Sequence, residues 1–239
     1  MNIGFAGKVV LVAGGTGGLG RAVSLAFLRE GASVVVTYRK QQEFDALRSA
    51  AASDAPALEG RVVDVTDEHA VAELVADILL RRKQLDAVVN TIGGYAGGIK
   101  LWELDSKVFE TMLSLNLQAG FNLAHAAMPP MLKQRRGSFV NVAAKAAFDH
   151  GAGAAAYAAS KAAAVAMIDS LAADALGSGV RVNSVLPSII DTAANRQAMP
   201  GSNFACWPKP EDIAQVILFL SSDAAKTIHG AAIPVYGNN

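Results

Sequence analysis

The chain holds a single cysteine, Cys206, in 239 residues. No intramolecular disulfide can form, and nothing points to an oxidising compartment. No basic cluster adjoins that thiol to lower its pKa, so it reads as a small packing residue. Net charge is missing too, because 21 basic residues balance 21 acidic ones. Without a long-range field, neither nucleic acid nor an anionic membrane is an expected partner. Near-neutrality also leaves self-association open. The four histidines (His69, His125, His150, His229) lack ligand spacing, which argues against a metal site. The most apolar run, from Ala152 to Ile168, is interrupted by Lys161 and is too short to span a bilayer. The opening "MNIGFAGKVVLVAGG" has no basic n-region and reads as a first strand, not a targeting segment. These absences predict a cytoplasmic protein.

What is present is alternation. Seven β-branched apolar runs, "KVVLVA", "SVVVTY", "RVVDV", "DAVVN", "SFVNVA", "VRVNSVL" and "AAIPVY", read as strands. Helical patterns begin between them near Leu19, Gln42, Asp67, Asp105, Ala154 and Pro210. The runs are nearly continuous in Val, Leu and Ile, as strands covered on both faces are. The expectation is an α/β fold: a doubly wound parallel sheet with helices on both sides. No linker or repeat breaks the chain, so residues 1–239 read as one domain. The stretch of about 188–209, with little regular pattern, reads as a substrate lid.

Glycines crowd the first strand-to-helix turn. Gly14, Gly18 and Gly20, with Thr16 and Leu19 among them, follow "VVLVA" and open a helix. Glycine allows a sharp turn and close approach of a pyrophosphate, and the helix start supplies unpaired N–H groups. That context predicts a dinucleotide site. The second strand ends in "TYRK", where a carboxylate would ordinarily hold the ribose hydroxyls of NAD. Arg39 instead suits a 2′-phosphate, so NADP(H) is the preferred cofactor, with NAD(H) still admissible. Asp64 and Val65 fall near the expected adenine, and Asn90 and Gly93 fall where the fourth strand ends.

Tyr157 and Lys161 stand four residues apart in an alanine-rich helix and share one face. Hydride transfer to an oxidised carbon requires a proton at the partner heteroatom. A free phenol, with a pKa of about 10, gives that proton up reluctantly, and a neighbouring ammonium is expected to lower its pKa.

Together with "AGGTGGLG", "NTIGG", "LSLNLQ", "YAASK", "VRVNSVLPS" and "HGAAIPVYGN", these residues resemble the short-chain dehydrogenase/reductase family over essentially the whole chain. The resemblance implies a Rossmann-like sheet of seven strands with Tyr157 as acid/base. It implies that Lys161 holds the nicotinamide ribose and lowers the tyrosine pKa, and that Asn116 anchors a water relay. It further places Pro187 and Thr192 beside the nicotinamide, and it suggests a homodimer or homotetramer. Ala13 and Ser188 are mild departures from the family pattern. Ala144 is a larger one: thirteen residues before the tyrosine, it stands where the family carries a serine that orients the substrate carbonyl. Losing one such donor costs about 10²–10³ in rate.

One branch of the family also lacks that serine. Dihydropteridine reductases resemble this chain in the alanine–lysine pair Ala144–Lys145 of "AAKAAFD". They also resemble it in the aromatic loop "GGYAGG" around Tyr95 and in a segment like "DTAANRQAMPGSNFACWPKPE", with Asn195 and Trp207. A quinonoid dihydropterin offers a conjugated C=N and no ketone oxygen for a serine to hold, and Tyr95 would give a flat ring a stacking surface. That branch usually uses NADH, with an acid after the second strand, which "TYRK" lacks. The expected activity is reduction of a small C=N or C=O substrate. The alternatives are a ketone reductase of the same family and a nucleotide-sensing protein with weakened catalysis.

Overall fold

The computed structural model describes residues 4–238. Seven strands form one sheet: β1 (Val9–Ala13), β2 (Ser33–Tyr38), β3 (Leu58–Val62), β4 (Ala87–Asn90), β5 (Gly137–Val142), β6 (Val180–Pro187) and β7 (Ala232–Val235). Their order is β3-β2-β1-β4-β5-β6-β7, and every neighbouring pair runs parallel. The helices are α1 (Gly18–Arg29), α2 (Gln41–Ala51), α3 (Glu68–Arg82), α4 (Ser106–Leu113), α5 (Ala119–Gln134), α6 (Ala155–Asp174), α7 (Ala193–Ala198) and α8 (Pro210–Ser221). This is the doubly wound, Rossmann-like sheet expected from the alternation.

The strand pleat explains why nearly continuous apolar runs were needed. Successive side chains point to opposite faces. Val10 and Val12 enter a cluster with Phe27 of α1 and Ile217 of α8. Val9 and Leu11 enter a separate cluster with Ile78 of α3, Leu123 of α5 and Ile168 of α6. A polar residue at any of these strand positions would face a helix on one side or the other, and β1 and β4 are buried throughout.

Chain order reverses across the sheet between β1 and β4, and a crevice opens beyond the C-terminal ends of strands at such a switch point. Among the candidate residues, Asn90 and Pro187 are the last residues of β4 and β6, and the glycine loop, Arg39, Asp64 and Gly93 follow the C-terminal ends of their strands. Among the described residues, no helix is long and apolar enough to cross a membrane.

Two expectations need correction, on the third strand and on the 188–209 stretch. The third strand covers Leu58–Val62 rather than "RVVDV", with Leu58 opposite Val34 and Val62 opposite Tyr38. It is an edge strand whose Glu59 and Arg61 are partly solvated, so it carries no buried apolar run, and Val63, Asp64 and Val65 leave the sheet. The helix expected near Asp105 does begin there, with the Asp105 carboxylate accepting from Lys107 N. It then passes through a π-helical turn at Ser114–Gln118 and continues as α5, which carries Pro129 and Pro130 inside it. The 188–209 stretch is also more ordered than its sequence suggests. It contains α7 and a 3₁₀ turn at Phe204–Cys206.

Candidate active site

The glycine loop is shaped so that only hydrogen fits at its key positions. Gly14 has φ +76°, in the left-handed region that other residues avoid. A Cβ on Gly20 would lie 2.0 Å from the Gly14 carbonyl oxygen. The loop is pinned from behind, where Gly14 N donates to Thr37 Oγ1 at 2.9 Å and Ser24 Oγ donates to Gly15 O at 3.1 Å. The N-cap of α1 is Gly17, which has no side chain to occupy the first N–H groups of the helix. Those groups, with the positive end of the helix dipole, fit a pyrophosphate. Leu19 is buried in the core beneath them. Thr192 comes to the same loop, since a Cβ on Gly18 would lie 2.8 Å from its Cγ2.

Next to this loop, Gly14, Thr16, Arg39, Lys40 and Asp64 line one cleft, together with Gly93 at the end of β4. Tyr38 lines it too, with its ring stacked on Phe44 at a centroid distance of 4.7 Å and its hydroxyl donating to Gln41 Oε1. Asp64 accepts from the amide and hydroxyl of Thr66 at 2.9 and 2.7 Å. These bonds, helped by Arg39, hold its carboxyl below the usual range. Val65 is buried and gives its carbonyl to Asn122 Nδ2 at 3.0 Å. Asn90 is buried as well. Its amide donates to Asn141 Oδ1 at 2.8 Å, and its oxygen accepts from Ile92 N at 3.1 Å. Its carboxamide therefore ties β4 to β5 and shapes the turn leading to Gly93.

Three candidate residues meet at one point. A Cβ on Gly93 would lie 2.9 Å from Asn116 Oδ1 and 3.1 Å from Lys161 Nζ. Asn116 sits on the π-helical turn, a distortion common at functional positions. Its Oδ1 accepts from Gly94 N at 3.0 Å, and its Nδ2 donates to Gly94 O at 3.1 Å and to Ser160 Oγ at 3.0 Å. Lys161, only 5% exposed, donates to Val142 O at 3.1 Å. Burial brings its pKa down to about 8.

The tyrosine behaves differently from the sequence expectation. Tyr157 is pushed up to about 12, chiefly by burial and further by Tyr95. The neighbouring ammonium was expected to lower it. Lys161 is itself desolvated and turned toward the β5 carbonyl, and its field does not offset the burial of the phenol. At neutral pH the phenol is fully protonated.

Above the phenol, the Tyr95 ring stands edge-on at 5.0 Å and 76°, and it is itself 71% exposed. Ala144 follows β5 by two residues, extended and buried. It offers a methyl group where a hydroxyl was expected. Lys145 pairs with Asp149 at 3.5 Å and lies 5.3 Å over the Tyr236 ring, on the β7 side. Pro187 closes β6, and Ser188 donates to Tyr236 O at 2.7 Å. In the 188–209 segment, Asn195 Nδ2 donates to Ile190 O at 2.8 Å, and Trp207 is buried against Phe204. Arg196 pairs with Asp191 at 2.7 Å and covers Phe204 at 4.9 Å. Both Asn195 and Trp207, expected to touch substrate, are thus engaged within their own segment.

Two residues escaped the sequence reading. Ser160 is fully buried and joins Asn116 to the Tyr157 carbonyl, which lies 2.8 Å from its hydroxyl. Glu43, in the first turn of α2, lines the nucleotide cleft.

Residues 8–203 match the family pattern described as short chain dehydrogenase. The chain is 32% identical over 239 residues to the 3-oxoacyl-(acyl-carrier-protein) reductase FabG of Thermotoga maritima, covering 97% of each. It belongs to the short-chain dehydrogenase/reductase family and is an NAD(P)-dependent oxidoreductase of it. Two solved structures share the fold at 24% identity. ElxO with NADP bound has a TM-score of 0.91, with 96% of this chain and 97% of that one covered. NAD+-bound xylitol dehydrogenase has a TM-score of 0.90, with 98% and 99% covered.

Proposed function

We propose that the protein is an NADP(H)-preferring reductase of a small, flat substrate bearing a C=N bond, similar in chemistry to dihydropteridine reductases. The observation that carries this reading is the methyl of Ala144 in a site that keeps Tyr157, Lys161 and Asn116 in register. A C=N within a conjugated ring has no ketone oxygen for a hydroxyl at position 144 to orient. The exposed Tyr95 ring, standing edge-on to Tyr157, offers a face on which such a ring can stack.

The glycine loop and the α1 N-terminus would hold the pyrophosphate, Arg39 the 2′-phosphate, and Thr192 would border the nicotinamide. When bound, the cofactor supplies a hydride to the electrophilic carbon. Tyr157 supplies the proton to the partner nitrogen. With a pKa near 12 the phenol carries that proton at neutral pH but releases it less readily than a free phenol, so the transfer depends on Lys161 offsetting the phenolate as it forms. Lys161 would hold the ribose and offset the phenolate as the proton leaves. Asn116, fixed by Gly94 and Ser160, would anchor the water that restores the proton. The exposed Phe109 and Phe121, on the helix that runs from α4 into α5, would be covered in a homodimer or homotetramer.

The second reading is a ketone reductase, favoured by the likeness to FabG. Steady-state assays separate the readings. NADPH oxidation that depends on a quinonoid dihydropterin supports the first, and ketone reduction alone supports the second. Tight nucleotide binding without turnover of either substrate would point to a sensing protein.

A further inference from the structure

The cleft beside the glycine loop is not simply basic. Its charged lining, among the described residues, is Arg39 and Lys40 against Glu43 and Asp64. Glu43 lies in the first turn of α2 and spans the cleft mouth. One carboxylate oxygen accepts from Thr16 Oγ1 of the glycine loop at 3.2 Å, and the other pairs with Lys40 Nζ at 3.2 Å. Lys40 is therefore already answered by a carboxylate, while Arg39 makes no ion pair among the described residues and only weakly feels Asp64.

We propose that Glu43 tempers the preference for NADP(H) over NAD(H) in this protein. The proposal rests on the nucleotide-binding part of the reading above, and not on the substrate. A 2′-phosphate brings close to two negative charges toward Arg39 and Lys40, and so toward Glu43. It must then compete with Glu43 for Lys40 and bear the repulsion of the remaining carboxylate. A free 2′-hydroxyl meets the opposite situation, because it can donate to the carboxylate, as acids at this end of a dinucleotide site do. Glu43 thus narrows a preference for NADP(H) that Arg39 alone would make strong. The carboxylate side chain is 43% exposed, so its effect is screened by salt.

The test is direct titration of NADPH and of NADH into the full chain at low and high salt, for wild type, Glu43→Gln and Glu43→Asp. Glu43→Gln should tighten NADPH binding by about tenfold at low salt while NADH holds or weakens, and the gain should shrink at high salt. Glu43→Asp, which keeps the charge, should stay close to the wild-type ratio. An unchanged NADPH/NADH ratio in Glu43→Gln overturns the proposal, as does an equal gain in both variants. Binding of neither nucleotide by wild type overturns the cofactor reading and the role of Glu43 with it.

Discussion

Asn116 donates its side-chain amide to the Ser160 hydroxyl at 3.0 Å, although 44 residues separate them in the chain. The same hydroxyl donates to the carbonyl of Tyr157. One buried contact therefore locks the π-helical turn to the helix that carries the phenol and the ammonium. With Gly94 held by the same asparagine, the loop after β4, the turn after α4 and the first turn of α6 form a single hydrogen-bonded unit. The proton-transfer groups are thus held by short-range geometry rather than by a direct tyrosine–lysine contact.

Tyr157→Phe should lower turnover by about two orders of magnitude or more, with little change in nucleotide affinity. General acid catalysis is typically worth about 10²–10⁴. Steady-state rates and a nucleotide titration on the same preparation check it. Near-wild-type turnover would remove the proton-donor role.

Lys161→Met should lose turnover and weaken nucleotide binding, and it should also change how stability depends on pH. Lys161 titrates near 8 in the fold against an ordinary value of 10.5. Between those values the unfolded chain binds more protons at this site, so its contribution to stability rises with pH. Wild type should gain on Lys161→Met by about 2–3 kcal/mol from pH 7.5 to 10. Tyr157, raised to about 12, acts in the opposite sense only above its ordinary value of 10. Urea unfolding of both proteins at the two pH values measures the gap, and a constant gap would contradict the burial of a lysine that sheds its proton early.

Arg39→Asp should weaken NADPH binding by tenfold or more, while NADH binding holds or improves. The substitution removes a guanidinium suited to a phosphate and adds a repelling carboxylate. Nucleotide titrations decide it. A wild-type protein that already prefers NADH would reduce Arg39 and Lys40 to a solvated turn.

The fold was legible because fully buried parallel strands leave an unmistakable pattern, as in "SVVVTY", whose limits match β2. The edge strand β3 was misplaced because solvent takes the positions where apolar residues would mark it. The π turn between α4 and α5 leaves no periodic signature, so it was not legible. In the site, spacing alone brought out the glycine loop and the Tyr157–Lys161 pair. The sign of the tyrosine shift was not legible, since it depends on how deeply the phenol is buried and which way the ammonium points. Ser160 and Glu43 act through partners 44 and 27 residues away, a relation no local pattern encodes.

The methyl of Ala144 separates the two substrate classes most directly. Quinonoid dihydropterin reduction and ketone reduction, both with NADPH, are to be measured for wild type and Ala144→Ser under identical conditions. A hydroxyl at this position would orient a ketone oxygen and restore up to about 2.7–4 kcal/mol of transition-state stabilisation. To a C=N ring it adds only a polar group to desolvate. The account predicts pterin reduction by wild type that stays level or falls in Ala144→Ser, with ketone reduction that rises. Brisk ketone reduction by wild type, unmoved by the serine, would contradict it.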